Sequence, residues 1–442
     1  MSESNNKLQQ KKSIHIDADL LGKIFFFLGL SLELFYELWD KSNWQIGNDG
    51  LLFRISFFFF FAKVLFTKYT KREKISVIVF AVIGFGAYKC SSRNDVLRVI
   101  ILIAACKGIE LKKMLKYVFG VTLAGCLAIV LMSILGIAGT ISRTAEYRAG
   151  IIEKRYVFGM GHPNALHCMF WALVTLWIFI YWEKLRWYHY LMLAAANYGL
   201  FLLTDSRTGF LMTMLALVIA FFVNPGFGRK AENDVKVSKI SEGSCKSRGN
   251  RLRDINGHIA GWAGIAGTLA AVLISLAAAY YGLIYNKNGL WRESHFGFVH
   301  GIDAKFFNGR LWNAYGYPDS HIGVFRLFSS PECTRYMDLG YYKLFYMYGY
   351  IPAILYIAVI IALLWYGMKK KSYDIVMFVT SWAAYNFLEA HEISEYIGRN
   401  YLYLIMGTYW MVIMHADTGQ ETFWLSRRKR KYLDKTAEKG KA

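Results

Sequence analysis

The polar stretch YNKNGLWRESHFGFVHGIDAKFFNGRLWNAYGYPDSHIGVFRLFSSPECTRYMD (residues 285–338) lies between two long apolar segments. It is rich in Arg, His, Asp, Tyr and Trp. A loop of this length between helices is usually either functional or disordered, and dense aromatic residues argue against disorder. We therefore expect an ordered loop that carries function, with the apolar segments on either side of it holding it in place.

The composition indicates that lipid, not water, surrounds most of the chain. Apolar residues make up 55% of the 442 residues, and aromatic residues make up 17%, which fits aromatic belts at membrane surfaces. The net charge is +21, but the basic residues are largely confined to short segments between apolar runs. That distribution is typical of cytoplasmic membrane loops, so we predict no nucleic-acid partner.

Twelve segments are candidates for membrane-spanning helices, which need about 20 mostly apolar residues each. The third and fourth are short. The chain is therefore predicted to be an all-α polytopic membrane protein with about twelve transmembrane helices and one large external loop between the ninth and tenth. The segments are about 20–39, 51–67, 75–89, 94–109, 116–138, 164–182, 188–203, 208–223, 259–284, 339–366, 373–391 and 398–415.

Lys and Arg positions predict the orientation. With twelve spans, all the strongly basic segments fall on one side, which is cytoplasmic by the positive-inside rule. Both termini are then cytoplasmic. The predicted organisation is a leader (1–19), spans one to nine (20–284) with a basic loop at 224–258, an external loop (285–338), spans ten to twelve (339–415) and a basic tail (416–442).

Chemistry on the outer face must come from the external segments and from a substrate that is already activated, because ATP is absent there. No P-loop, Rossmann fingerprint, DxD pair, HExxH or GxSxG motif occurs in a suitable context, and HEIS at 391–394 lacks the second His of a zinc protease. We expect no metal and no cofactor. The external segments are about 40–50, 90–93, 139–163, 204–207, 285–338 and 392–397.

The first candidate motif is GMGHPNALH, residues 159–167, which precedes an apolar segment. Asn164 can cap the helix that begins there, and a helix N-terminus with its unpaired N–H groups suits a phosphate. The alternative is a simple membrane-entry turn, in which Gly and Pro supply the geometry and His162 is an interfacial polar residue.

The second candidate motif is TDSRTG, residues 204–209, which joins two apolar segments. An Arg at the membrane is costly unless it is paired or reaches the surface. Arg207 can pair with Asp205, or it can bind a diphosphate through two parallel hydrogen bonds. Asp205, Ser206 and Gly209 would supply the turn.

The third candidate group lies in the long loop. Gly309 gives backbone freedom just before Arg310, and the loop ends at Asp338, shortly before Tyr341 and Tyr342. Carboxylates and aromatic faces suit a sugar, whereas the alternative is an amphipathic lid whose aromatic residues form a membrane belt. A weaker group, formed by Glu389, His391 and Glu392, could complete a site or could be interfacial.

These motifs together resemble the O-antigen ligase/polymerase superfamily, in particular the Wzy-type polysaccharide repeat-unit polymerases. The resemblance covers about residues 150–365 and rests on the joint order of four short motifs. They are GHPN at 161–164, SRTG at 206–209, NGR at 308–310 and DLGYYKLFYMYG at 338–349.

The resemblance implies an inverting, metal-independent glycosyl transfer from an undecaprenyl diphosphate carrier. In such families, arginines of the external turn and loop hold the diphosphate, and Arg207 and Arg310 match those positions. Ligases of the superfamily usually carry a His-Asn pair where the loop meets the next helix, and here that place reads Met337-Asp338-Leu339. Asp338 is then the candidate catalytic base, with His162 as the alternative.

We therefore predict polymerisation of undecaprenyl-diphosphate-linked oligosaccharides into capsular, exo- or O-antigen polysaccharide at the bacterial cell membrane. The substrate-binding residues would be Arg207, Arg310, Asn164, Tyr341 and Tyr342. Besides the lipid-linked oligosaccharide and membrane lipid, a chain-length regulator and a flippase are expected partners. The alternatives are ligase-like transfer of glycan to another acceptor and a lipid-linked oligosaccharide flippase or transporter, although no internal repeat is evident.

Overall fold

Long apolar runs bounded by polar or glycine-containing segments become helices in this chain, as their composition predicts. The computed structural model describes residues 18–44, 49–148, 151–224, 226, 242–287, 292–307, 309–390 and 393–415. The α-helices are α1 (Ala18–Lys41), α2 (Asp49–Phe66), α3 (Lys71–Ser91), α4 (Asp95–Ala105), α5 (Leu111–Ile134), α6 (Pro163–Ile180), α7 (Trp187–Thr204), α8 (Arg207–Val223), α9 (Glu242–Lys287), α10 (Arg292–Ile302), α11 (Trp312–Tyr315), α12 (Gly340–Lys343), α13 (Tyr350–Lys369), α14 (Tyr373–Leu388) and α15 (Leu402–His415).

All twelve predicted apolar segments coincide with helices, namely α1 to α9 and α13 to α15. Among the described residues, five helices are long and apolar enough to cross a membrane: Lys71–Ser91, Leu111–Ile134, Pro163–Ile180, Arg251–Ile284 and Tyr350–Lys369. Large apolar side chains are exposed along several helices, as expected of surfaces that face lipid. The chain is a mostly helical protein with the character of a membrane protein.

A two-stranded antiparallel hairpin departs from the all-α prediction. Strand β1 (Ser142–Arg148) pairs with β2 (Ile151–Tyr156), with Ser142 opposite Tyr156. The hairpin lies in the predicted external segment 139–163, where β-branched and aromatic residues such as Thr144, Ile151 and Ile152 occur in both strands. Such a pattern favours strands over helices, so the all-α prediction is incomplete here.

Two helix boundaries also differ from the prediction. Helix α9 begins at Glu242, so residues 242–258 of the predicted basic loop continue the ninth span as helix, while residues 227–241 lie outside the described part. The tenth apolar helix begins at Tyr350 and not at 339, because the chain breaks at Gly349 with a φ of 90°. A Cβ on Gly349 would lie 2.6 Å from the backbone nitrogen of Ser329, so the long loop crosses there.

The core is centred on α6 and α14. Trp171 stacks on Tyr385 with ring centroids 4.1 Å apart and packs on Trp382 at 4.6 Å. The indole Nε1 of Trp382 donates to the Thr175 hydroxyl at 3.2 Å, which satisfies a buried donor. Helix α6 is mostly buried and α3 is mostly exposed, so α6 is central to the helical body and α3 is peripheral.

Contacts between connecting segments fall into two sets, which we call the loop end and the basic end. At the loop end, Arg93 donates to the carbonyls of Ser330 and Cys333, and the backbone N–H of Asn43 donates to Gly159 at 3.1 Å. At the basic end, Lys371 pairs with Asp254 and Lys107 pairs with Glu73. Helix α3 runs from one end to the other, because Glu73 is in its first turn and Arg93 follows its last residue.

Candidate functional site

The sequence suggested that Asn164 caps α6, but in the structure the capping residue is His162. The Nδ1 atom of His162 accepts a hydrogen bond from the Asn164 backbone N–H at 3.1 Å, and Pro163 occupies the first helical position. The side-chain oxygen of Asn164 instead accepts from the Ser206 hydroxyl at 2.9 Å. This bond joins the GHPN motif to the turn at 204–209, as the prediction of a shared site requires.

A buried histidine holds the turn at 204–209 in place. His167 lies within hydrogen-bond distance of the Thr204 hydroxyl (3.2 Å) and of the Asn197 side-chain oxygen (2.8 Å). A Cβ on Gly209 would lie 2.6 Å from the His167 ring. Gly209 is therefore small because α8 packs closely on His167, and not because it belongs to the turn, since α8 already begins at Arg207.

The turn presents Arg207 without an ion pair to Asp205. Asp205 has a φ of 44° and accepts from Arg155 at 2.8 Å, and Arg155 also pairs with Glu153 of the hairpin at 2.6 Å. Arg207 is exposed and forms no salt bridge with any residue that the structure describes. The alternative in which Arg207 pairs with Asp205 is wrong, and the guanidinium is available to a ligand.

A buried carboxylate, which the sequence analysis did not single out, fixes the backbone next to Arg310. Asp303 is fully buried, and its two oxygens accept from the backbone N–H groups of Leu311 (2.9 Å) and Trp312 (2.8 Å). Gly309 has a φ of 78°, so the predicted backbone freedom before Arg310 is confirmed. Asn308 lies outside the described residues.

Arg310 joins three segments that are far apart in sequence. Its guanidinium donates to a Glu389 carboxylate oxygen at 2.6 Å and to the Thr208 hydroxyl at 3.1 Å. Burial raises the pKa of Glu389, the charge of Arg310 opposes that shift, and the charge of Asp338 adds to it. Glu389 of the weaker sequence group thus pairs with Arg310, whereas His391 and Glu392 lie outside the described residues.

Asp338 lies partly buried at the end of the long loop. Its Oδ2 accepts from the Asn313 side-chain amide at 3.2 Å. The charges of Asp338 and Lys41 both affect the pKa values of His162, Lys343 and Glu389, so these five groups interact electrostatically at the loop end. We call these groups, with Arg207 and Arg310, the loop-end site.

The two tyrosines that follow Asp338 are packing residues in this structure. Tyr341 and Tyr342 are buried, and their hydroxyls donate to the carbonyls of Ala383 (3.1 Å) and Ala314 (3.2 Å). They fix the loop against α14 and α11. Because both side chains are buried and both hydroxyls bond to backbone carbonyls, the substrate-binding role predicted for them is not carried into our proposal.

Lys41 and Lys343 belong to the site, although the sequence analysis did not predict them. Burial lowers the pKa of Lys343 to about 8, while the charges of Glu395 and Asp95 oppose that shift. A lysine inside the predicted tenth span was a signal, because charged residues in apolar spans are functional candidates by default. Lys41 gave no such signal, since it is simply the residue at the end of α1.

Burial and positive neighbours set the protonation of His162. Loss of water lowers its pKa, and the charges of Arg143, Arg155 and Lys41 lower it further, while Asp338 opposes them. The neutral ring accepts at Nδ1 from Asn164, so its proton is on Nε2. In this arrangement Nε2 of His162 is a hydrogen-bond donor and the ring does not act as a base.

The loop-end site combines four cations with two carboxylates. Guanidinium and ammonium groups bind phosphate oxygens, and a carboxylate accepts a proton from a hydroxyl. Within the described residues, no group of three His, Cys, Asp or Glu side chains is arranged to hold a metal ion. Comparisons with protein-family models, with curated proteins and with solved structures found no match to this chain. The function must therefore be argued from the site itself.

Proposed function

We propose that this protein is a polysaccharide polymerase that joins undecaprenyl-diphosphate-linked oligosaccharide repeat units at the outer face of the bacterial cell membrane. The observation that carries the proposal is the position of Arg310. It contacts the 204–209 turn through Thr208 and pairs with Glu389 after α14. Residues from distant parts of the chain thus form one charged site beside the predicted membrane surface.

The proposal includes twelve membrane spans, formed by α1 to α9 and α13 to α15. Segments predicted to be external contact one another at the loop end, and strongly basic segments contact one another at the basic end. By the positive-inside rule the basic end is cytoplasmic, which puts both termini in the cytoplasm and the loop-end site outside. This arrangement gives the site access to a lipid carrier from the membrane.

In the proposed reaction, Arg207 and Arg310 bind the diphosphate of the donor. The hydroxyl oxygen of the acceptor sugar attacks the anomeric carbon, the bond from that carbon to the phosphate oxygen breaks, and the configuration inverts. Negative charge grows on the departing diphosphate, so prearranged cations stabilise the transition state more than the ground state. Lys41 and Lys343 add positive potential to the same space.

The proton of the acceptor hydroxyl passes to Asp338 in this mechanism. Asp338 is partly exposed and keeps accepting capacity beyond its bond from Asn313, since an ionised carboxylate has about four acceptor positions. His162 was the other candidate, but its Nδ1 already accepts from the helix backbone. We therefore assign His162 and Asn164 to holding the α6 entry and its contact with the 204–209 turn, and Asp338 to accepting the proton.

Glu389 has a distinct part in the proposal. It holds Arg310 in place before substrate binds, at 2.6 Å. A bound diphosphate brings more negative charge than one carboxylate, so it takes over hydrogen bonds from Arg310. Burial already raises the pKa of Glu389, so the carboxyl can become neutral when the anion arrives.

The function is tested with the purified full chain in lipid nanodiscs and lipid-linked repeat units. Polymerisation gives a ladder of lengthened glycan on the carrier, with release of undecaprenyl diphosphate. Transfer to a different added acceptor without a ladder would indicate a ligase. Movement of substrate across vesicles with no change in glycan mass would indicate a flippase, and either result would overturn the proposal. A chain-length regulator and a flippase are the proposed partners.

A further inference from the structure

The end of the long loop carries an exposed tyrosine beside Asp338. In the sequence YMDL, residues 336–339, Met337 and Leu339 are buried, whereas Tyr336 is exposed and Asp338 is partly exposed. The segment is not helical, and Leu339 has an extended backbone. Because successive side chains of an extended chain point to opposite sides, Tyr336 lies on the same side of the segment as Asp338.

The groups that act on Tyr336 are those of the loop-end site. Nζ of Lys343 lies over its ring, 5.8 Å from the centroid. Burial of the hydroxyl end raises the pKa of Tyr336. The charges of Asp338 and Glu389 raise it further, and the charge of Arg310 lowers it. With 69% of the residue exposed, most of the ring is still uncovered.

A tyrosine of the membrane belt has different surroundings in this chain. Tyr280 is 56% exposed on α9, near the end that leads into the long loop. It follows the exposed Leu273 by two helical turns, so the two residues share one side of α9. An apolar side of this kind faces lipid, and a tyrosine near its end fits an interfacial belt. Tyr336 instead lies beside carboxylates and a lysine, so the belt does not account for it.

Contacts on both sides hold the segment that carries Tyr336. Arg93 donates to the carbonyl of Cys333, three residues before Tyr336. On the other side, Asp338 accepts from the side-chain amide of Asn313 at 3.2 Å. A binding residue on a segment that is already ordered loses little conformational entropy when a ligand arrives.

The chemistry around Tyr336 suits a sugar ring. A pyranose has an apolar face of C–H groups and an edge of hydroxyls. The tyrosine ring supplies a rigid apolar surface for the face, the Asp338 carboxylate accepts from a hydroxyl, and the Lys343 ammonium donates to one. An acyl chain would leave these charged groups without partners, which is costly.

From the shared side with Asp338, the uncovered ring and the ordered segment, we infer that Tyr336 binds the acceptor sugar. The apolar face of that sugar stacks on the ring while its hydroxyl reaches Asp338. The inference rests on the proposed function, because the acceptor is assigned to this place by the role of Asp338 as the base. The diphosphate of the donor is held elsewhere in the site, by Arg207 and Arg310.

The first test measures sugar binding without turnover. The full chain in nanodiscs is mixed with a repeat-unit oligosaccharide released from its carrier by mild acid, and saturation-transfer NMR reports which sugar protons contact the protein. The wild type should saturate C–H protons of the non-reducing sugar, and Tyr336→Ala should lower this transfer about tenfold. Tyr336→Phe, which keeps the ring, should behave like the wild type. Tyr280→Ala, at the matched exposed tyrosine, should leave the transfer unchanged.

Three results of this test would overturn the inference. They are an absence of transfer to the oligosaccharide in the wild type, equal transfer in Tyr336→Ala and the wild type, and an equal loss in Tyr336→Phe and Tyr336→Ala. In the last case the hydroxyl, and not the ring, would be responsible. Tyr336 is exposed, so these variants are expected to fold, and melting curves of each variant verify this.

The second test separates this inference from the proposed function. The same oligosaccharide with a fluorescent group on its reducing end acts only as an acceptor, because it carries no leaving group. With saturating lipid-linked donor, Tyr336→Ala should raise the KM for this acceptor about tenfold with little change in kcat. Ladders from the wild type with an unchanged KM in Tyr336→Ala would overturn the inference and leave the polymerase standing. Sugar binding that depends on the Tyr336 ring, in a protein that makes no ladder, would support the sugar site and overturn the polymerase.

Discussion

Two arginine–glutamate pairs in this protein have nearly the same geometry and different surroundings. Arg98 and Glu33 lie 2.7 Å apart with side chains 2% and 1% exposed. Arg310 and Glu389 lie 2.6 Å apart with side chains 12% and 15% exposed. The first pair lies between α1 and α4, and the second faces the loop-end site.

The neighbours of the two pairs differ as well. Arg98 also donates to the Glu395 carbonyl at 2.6 Å and stacks over Phe53 at 4.0 Å, while Glu33 accepts from Ser56. Every group around Arg98 therefore comes from the protein's own helices and connecting segments. Arg310 instead pairs with a carboxylate that is partly exposed and donates to the Thr208 hydroxyl of the 204–209 turn. We infer that the first pair stabilises the fold and the second takes part in binding.

The largest effect should follow from breaking the buried pair. Arg98→Ala leaves the Glu33 carboxylate buried without its partner, which typically costs about 3–5 kcal/mol of folding stability. The measurement is the free energy of unfolding of the purified protein in detergent. The double variant Arg98→Met with Glu33→Leu removes both charges and should recover most of the loss; a double variant as unstable as the single one would contradict the interpretation.

Breaking the pair at the site should affect activity more than stability, because this pair is more exposed than the first. Arg310→Ala removes a donor to the departing diphosphate and should lower the rate of ladder formation about 10²–10³-fold. Arg310→Lys keeps the charge but loses the planar guanidinium, so its rate of ladder formation should lie between those of the wild type and Arg310→Ala. The matched control is Arg335→Ala, because Arg335 pairs with exposed Asp319 in the same loop. A similar loss of ladder formation in Arg335→Ala would contradict a specific role for Arg310.

A smaller loss of stability is expected from overpacking α8 against His167, near Arg207. Gly209→Ala places a Cβ 2.6 Å from the His167 ring, and such overpacking typically costs about 1–3 kcal/mol. The shift should also displace Arg207 and slow ladder formation. Gly199, on α7, has open space where a Cβ would be, so Gly199→Ala should be neutral or slightly stabilising. Equal melting temperatures for the two variants would show that the contact with His167 is unimportant.

The smallest predicted effect is a pH dependence of stability at the α6 entry. The pKa of His162 is lowered in the folded protein, so the unfolded chain binds the proton more readily. The free energy of unfolding should therefore be constant above pH of about 6.5 and fall as the pH drops below it. His162→Asn, which can still cap α6, should reduce this dependence, as checked by melting curves between pH 5 and 8. A fall of the same size in His162→Asn would exclude His162 as its source.

Much of the helical framework could be predicted from the sequence, because lipid selects for long apolar runs and those runs are visible without an alignment. The hairpin at 142–156 was missed because it is short and external, where no apolar run marks it. The start of α13 was misplaced because its boundary depends on Gly349 meeting the backbone of residues 326–329, a contact distant in sequence. Local composition carries no information about such a crossing.

At the candidate site, too, some features are visible in the local sequence and others are not. Gly309 and Arg310 could be found because a glycine before an arginine in a polar loop is a local signal. The pairing of Asp205 with Arg155 and the burial of Tyr341 depend on which segments meet. Lys41 was missed for the same reason, since the groups that it acts on lie far along the chain.

The most direct test compares the two pairs in one experiment. Wild type, Arg310→Ala and the double variant Arg98→Met with Glu33→Leu are assayed for ladder formation and for melting temperature. We predict that Arg310→Ala remains folded and makes little or no ladder, while the double variant keeps ladder formation. Ladders of wild-type rate from well-folded Arg310→Ala would contradict the assignment of the loop-end site.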